Sequence, residues 1–228
     1  VQVPLGKGSA TGVVISIQDC APVSNRVLKP ITAIDHQKPV LTQSLIDLIN
    51  WFSHYYQTTP YKAYQTVVGT LKYRELGDPP APTPIPDPPY TLSAQQSQAI
   101  ETIMSSPHHR FLLHGVTASG KTEVYLQLAA RMIKQGRTCL MLLPEIALTP
   151  QMNRSFLDRF GDRVSVIHSG LTPKNRQIQW MKSRSHHVDV VIGPRSAIFS
   201  PLPHIGLIII DEAHEPSYKQ DQHPRYQT

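Results

Sequence analysis

Residues 115–122 constrain this chain more than any other stretch. They read Gly115-Val116-Thr117-Ala118-Ser119-Gly120-Lys121-Thr122, the G-x-x-x-x-G-K-T pattern of a phosphate-binding loop. Such a loop works between a strand and a helix, and the flanks suit both. Phe111, Leu112 and Leu113 predict a buried strand over 111–113. Glu123, Tyr125, Leu126, Leu128, Ala129, Ala130 and Met132 predict a helix over 121–135 that Gly136 ends. The glycines let the backbone turn tightly and aim its N–H groups at anionic oxygens. The helix adds its positive N-terminal end. Lys121 is then the residue for the β- and γ-phosphates, and the Thr122 hydroxyl for Mg²⁺.

The rest of the second half fits around this loop. Helices are expected over 94–104, 150–160 and 173–183, and strands over 138–143, 164–167, 188–192 and 206–210. That alternation implies an α/β, RecA-like parallel sheet lobe, and the last run reads as a central strand because it is uninterruptedly apolar. It continues Leu207-Ile208-Ile209-Ile210-Asp211-Glu212-Ala213-His214, with two carboxylates just past the strand's carboxyl end, where such sheets place ligands. Asp211 is the expected Mg²⁺ ligand, through water, and Glu212 the group that orients or deprotonates an attacking water. An acidic loop after a buried strand is common, but here a complete phosphate loop lies 90 positions before Asp211, counted from Lys121. Ser93 and Gln96 fit a capping box, and the Gln96 amide also suits adenine; the two roles are compatible.

Before the lobe, seven of the twelve residues 78–89 are proline, so 78–90 is read as a stiff linker of about 3.1 Å per residue. Residues 1–77 form the other domain. Val1-Gln2-Val3, the run Val13, Val14, Ile15, Ile17 and the broken set Val27, Leu28, Ile31, Ile34 predict a small β-rich module. A helix over 42–57 follows, with Thr42 as its cap and Leu45, Ile46, Leu48, Ile49, Phe52 and Tyr56 at helical spacing. The stretch 51–73 is aromatic (Trp51, Tyr55, Tyr56, Tyr61, Tyr64, Tyr73). Beside Lys62, Lys72 and Arg74 these rings suit base stacking, although packing a helix on a neighbouring sheet is their commoner use.

A net charge of +6, spread over both halves, suits a polyanionic partner. The two cysteines, Cys20 and Cys139, have neither zinc-site nor disulfide-framework spacing. No apolar run reaches membrane-spanning length, so no membrane partner is expected. His108, His109, His186 and His187 sit in polar loops and read as solvated residues.

Five segments together resemble the superfamily 2 DEAH-type helicases: 115–125, 143–151 (Leu-Pro-Glu-Ile-Ala-Leu-Thr-Pro-Gln), 168–171 (His-Ser-Gly-Leu), 192–199 (Ile-Gly-Pro-Arg-Ser-Ala-Ile-Phe) and Asp211–His214. Their wording is most similar to the PriA family of bacterial replication-restart helicases. Residues 91–228 carry the resemblance strongly. Residues 1–60 carry it more weakly, through Val3-Pro4-Leu5-Gly6-Lys7 and Gly12-Val13-Val14. The resemblance implies an ATP- and Mg²⁺-dependent motor moving 3′ to 5′ on single-stranded and forked DNA. It implies single-strand-binding protein and primosome loading proteins as partners, and a bacterial cytoplasmic, nucleoid-associated setting. The ATP residues it implies are Gln96, Gly115, Val116, Thr117, Ala118, Ser119, Gly120, Lys121 and Thr122, with Lys121, Asp211 and Glu212 catalytic.

The resemblance also implies DNA contacts. Thr149, Arg195 and Ser196 would lie on strand-tracking loops. Tyr218, Lys219, Arg225 and Tyr226 would belong to an aromatic-rich loop linking DNA contact to hydrolysis, with Tyr218 and Tyr226 stacking on bases, Lys219 and Arg225 meeting phosphates, and His223-Pro224 replacing the usual Gly-Trp. Gly6 and Lys29 match positions of a pocket for a DNA 3′ end; on their own they read as a turn residue and a surface charge. The family's zinc-binding cysteines, winged helix and second motor lobe have no counterpart here. The expectation is therefore an amino-terminal piece that binds Mg·ATP and DNA weakly and turns over little, with zinc only in a missing carboxyl-terminal part. The alternatives are another superfamily 2 motor acting on RNA or in DNA repair, and a non-enzymatic DNA-end-binding module.

Overall fold

The computed structural model describes residues 1–17, 19, 28–34, 41–69, 77–79, 81, 84–86, 91–116, 118–147, 149–220 and 224–228. Contacts between residues divide it into two units, Val1–Ala63 and Tyr64–Thr228.

The first unit opens with an antiparallel hairpin, β1 (Gln2–Leu5) and β2 (Gly8–Thr11), in which Leu5 faces Gly8. Only Gly6 and Lys7 remain for the turn. Gly6 takes φ 60°, as the first position of a type II′ turn requires. The expected strand at Val13–Ile17 does not form: 12–17 is irregular, and Ile17 is 91% exposed. The pairing falls instead on the segment holding Pro4, because a two-residue glycine turn closes there and none is available after Gly12. Of the third expected segment, residues 28–34 are irregular apart from one bridge, Ala33 to Gln2, and Val27 lies outside the described residues. Helix α1 (Gln43–Tyr55) follows. The Thr42 hydroxyl caps it by accepting from Leu45 N–H. Leu45, Ile49 and Phe52 are buried along one face, whereas Trp51 and Tyr55 face outward and stack at 4.9 Å. Helix α2 (Pro60–Val67) contains the division between the units.

The second unit holds α3 (Ala94–Ser105), α4 (Lys121–Lys134), β3 (Thr138–Leu142), α5 (Pro150–Phe160), β4 (Val164–Val166), α6 (Pro173–Arg184), β5 (Val190–Gly193) and β6 (Ile205–Ile210). All four strands are parallel, in the order β4-β5-β3-β6. Alternation along β3 and β5 splits the core. Cys139, Met141, Val190, Ile192 and Ile209 meet α4 and α5 on one face. Leu140, Leu142 and Val191 meet Ile167, Leu202 and Tyr218 on the other. Helix α3 packs on α4 through Ile100, Val124 and Leu128.

Two expectations fail here. Residues 111–113 form no strand, and Leu112 is 87% exposed. In consequence β6 ends the sheet rather than sitting at its centre, with Ile208 and Ile210 more than two-fifths exposed. An apolar run says only that a strand can be covered on both faces. Whether it is covered depends on partners distant in sequence.

Candidate nucleotide and nucleic-acid site

The phosphate loop is shaped by two left-handed residues, Ala118 (φ 62°) and Gly120 (φ 80°), the second being the N-cap of α4. No side chain caps α4 among the described residues, so the leading N–H groups of this helix remain for an anion. Lys121 folds back over the loop and donates from Nζ to the carbonyls of Gly115 (2.7 Å) and Val116 (3.2 Å). A β-carbon at Gly115 would lie 2.7 Å from Ser119 Oγ, so any larger residue there must turn the Ser119 hydroxyl aside. Thr117 lies outside the described residues.

Gln96 meets the loop directly. Its Oε1 accepts from Ser93 N–H (2.8 Å) while Ser93 Oγ accepts from Gln96 N–H (3.2 Å), completing the capping box of α3. Its Nε2 donates to the Gly120 carbonyl at 3.1 Å.

The acidic pair stands at the carboxyl end of β6. Asp211 is buried, and its N–H extends the ladder to the Leu142 carbonyl at 3.0 Å. Its Oδ1 accepts from the Tyr125 hydroxyl at 3.0 Å, a bond that joins the helix following the phosphate loop to the strand carrying the acid. The Tyr218 hydroxyl lies 2.6 Å from the Asp211 carbonyl and 3.0 Å from that of Leu142, so one proton serves two acceptors. Burial, and then the nearby negative charge of Asp211, pushes both phenols well above the ordinary tyrosine range; both remain donors at neutral pH. Glu212 is exposed and holds φ 47°, a strained backbone for a non-glycine residue, with His214 Nε2 3.5 Å from its Oε2.

This donor set fits a magnesium-bound nucleotide. Asp211 is a buried carboxylate with no cation paired to it among the described residues. An uncapped helix start and an ammonium occupy the same loop. Thr122 and Asp211 are the residues that would hold the metal.

A groove runs along the carboxyl ends of β3 and β5. It opens into a cavity of about 520 Å³ lined by Pro144, Arg195, Ser196, Tyr218, Lys219 and Tyr226, among others. An adjoining hollow of about 250 Å³ shares Glu145 and Pro194 and adds Asn153 and His168.

The family model described as DEAD/DEAH box helicase matches residues 93–228, more than half of the chain and all of the site just described. The chain belongs to the DEAD/DEAH box helicase family. Members of this helicase family use ATP and Mg²⁺. The model described as 3′DNA-binding domain matches residues 1–69. Replication restart protein PriA of Treponema pallidum (strain Nichols) is 36% identical over 233 residues, which is 99% of this chain and 36% of that protein. Its namesake in Bacillus subtilis (strain 168) is 49% identical over 142 residues, 60% of this chain and 18% of that protein. The one in Synechocystis sp. is 49% identical over 132 residues, 58% and 16% respectively. The chain thus spans little more than a third of these relatives' length at most.

In this helicase lobe the expected DNA residues are differently employed. Thr149 is exposed and caps α5, its hydroxyl accepting from Met152 N–H at 3.2 Å. Ser196, Lys219 and Arg225 are exposed. Tyr218 (4% exposed) and Tyr226 (5%) are buried, contrary to their expected use as open stacking platforms. Tyr218 is anchored through its hydroxyl, and Tyr226 packs edge-on against Phe199 at 5.2 Å. Both rings are amphipathic, and the loop folds onto the sheet end because burying them removes apolar surface from water. Arg195 fastens that loop: its Nη1 donates to the carbonyls of Ser217 (3.0 Å) and Lys219, and its guanidinium lies 5.6 Å from the Tyr226 ring centre. In the first unit, Gly6 forms the hairpin tip and Lys29 is exposed on an irregular segment. His223 lies outside the described residues. Three features escaped sequence reasoning: the Gln96–Gly120 bond, the Tyr125–Asp211 bond and the Arg195 latch. Each joins residues more than 20 positions apart, and only Tyr125, a phenol within the apolar run Val124–Leu126, offered any signal.

Proposed function

We propose that this chain binds Mg·ATP between the phosphate loop and the Asp211-Glu212 pair, as part of a replication-restart DNA helicase moving 3′ to 5′. The observation that carries this reading is the convergence at one sheet rim. An uncapped α4 with Lys121 folded over its loop is joined through Tyr125 to the buried Asp211. Lys121 leaves its two carbonyls for the β- and γ-phosphates, and the α4 N–H groups take the remaining phosphate oxygens. Gln96 reads the adenine edge while its neighbour Ser93 holds the helix start. Glu212, strained and open to solvent, positions the attacking water and accepts its proton. The metal, when bound, neutralises charge building on the phosphate oxygens.

DNA follows the groove past Thr149, Arg195 and Ser196, and Lys219 and Arg225 meet further phosphates. A phosphate that captures Arg195 unfastens the loop and frees Tyr226 to stack. Gly6 and Lys29 receive the DNA 3′ end, a role supported by the 3′DNA-binding domain match over residues 1–69. Forked DNA, single-strand-binding protein and primosome loading proteins are the partners of this reading.

The test compares wild type with Lys121→Ala for binding of a fluorescent ATP analogue with Mg²⁺. Loss of at least tenfold in affinity supports the reading, and equal affinity refutes it. DNA binding should weaken as salt rises, because phosphate contacts release counterions.

A further inference from the structure

The backbone of Asp211 is fixed at two points, by its N–H to the Leu142 carbonyl and by the Tyr218 hydroxyl at its own carbonyl. Its carboxylate is held at one, the Tyr125 hydroxyl on Oδ1, and no hydrogen bond among the described residues engages Oδ2. Tyr125 stands four residues after Lys121, one helical turn away on the same face of α4, and three after Thr122. The helix that presents the ammonium and the metal-binding hydroxyl therefore also sets the direction of the acid on β6.

We propose that Tyr125 is a positioning residue for metal-bound nucleotide: its hydroxyl turns the Asp211 carboxylate so that Oδ2 faces the metal's water shell. Without the phenolic O–H, the carboxylate is free to rotate on a fixed backbone, and its orientation is lost while the fold survives. A ligand-orienting group of this kind typically changes metal affinity 10- to 100-fold. Tyr125 touches neither nucleotide nor metal, so it leaves metal-free nucleotide binding alone. This inference rests on the nucleotide reading above, and the experiment separates the two.

Free Mg²⁺ is titrated into the 228-residue chain holding a fluorescent ATP analogue. Tyr125→Phe should keep the metal-free affinity within about twofold and raise the Mg²⁺ concentration at half-effect about tenfold. Replacing Tyr125 by 4-aminophenylalanine, which returns an N–H donor to the same ring, should restore it. An unchanged Mg²⁺ half-point in a folded Tyr125→Phe overturns the proposal, as does a loss confined to metal-free binding. Lys121→Ala binding like wild type would instead sink the nucleotide reading itself.

If Tyr125→Phe does not fold, the wild type carries the test. The protein is labelled with carbon-13 at tyrosine Cζ, and the Tyr125 signal is the one missing from the 4-aminophenylalanine form. It must move when Mg²⁺ joins bound nucleotide; a static signal overturns the proposal.

Discussion

Gly120→Ala and Gly136→Ala form a matched pair that isolates one contact of the nucleotide site. Both glycines are left-handed, with φ 80° and 72°. An alanine in that region costs about 1–2 kcal/mol, and stiffening the unfolded chain returns about 0.4–1 kcal/mol. At Gly136 a new β-carbon meets nothing within 4 Å, so the net loss there is about 1 kcal/mol. At Gly120 the same carbon would lie 2.3 Å from Gln96 Nε2. Gln96 is flexible and can swing away, but its 3.1 Å bond to the Gly120 carbonyl then breaks, adding about 0.5–1.5 kcal/mol. Gly120→Ala should therefore lose about 1 kcal/mol more than Gly136→Ala, and it alone should weaken nucleotide binding. Urea unfolding followed at Trp180, in a Trp51→Phe background, measures this: the chain has two tryptophans, and only Trp180 is buried in the helicase lobe. Equal losses in the two variants, with nucleotide affinity intact in both, would refute the argument that Gly120 is glycine because Gln96 approaches it.

Other outcomes follow from the same geometry. Arg159 and Glu123 form a pair between α5 and α4 at 3.0 Å, with the Arg159 side chain 5% exposed. Arg159→Ala should cost about 3–5 kcal/mol by leaving the carboxylate uncompensated, read as a urea midpoint. Removing the loop latch with Arg195→Ala should speed hydrogen exchange at the Lys219 and Gln220 amides, while those of β3 stay protected. Partial desolvation of this largely exposed ring, then the nearby His204 and Arg184 charges, holds His186 below the usual histidine range, and Asp189 opposes this in part. Its folded form thus prefers the neutral ring, and the unfolded chain binds more protons. Stability should fall as pH drops through about 6.5 and below, the unfolded value, and His186→Asn should flatten that slope in urea midpoints taken either side of it.

Local chemistry made much of this protein legible from its residues alone. The phosphate loop, the capping box at Ser93, the Thr42 cap, the start of α5 at Pro150 and the alternation of strands with helices are all written within a few residues of one another. The acidic pair after β6 was equally plain, because a carboxylate following an apolar run has few other uses once a phosphate loop is present. Where sequence reasoning failed, the deciding partner lay far away. Residues 111–113 and β6 have the composition of buried strands, yet a strand's place in a sheet depends on neighbours that no local window contains. Val13–Ile17 reads as a better strand than Gln2–Leu5, but the two-residue turn at Gly6 selects the other pairing. Tyr218 and Tyr226 read as open aromatic rings; tertiary packing buries them and turns one hydroxyl onto the strand that carries Asp211. The sequence determined which groups are available for nucleotide chemistry, since motif residues act through their own backbone and side chains. Only the tertiary structure decided which of them touch, because hydrogen bonds such as Tyr125 to Asp211 form between elements 86 positions apart that share nothing but a face of the sheet.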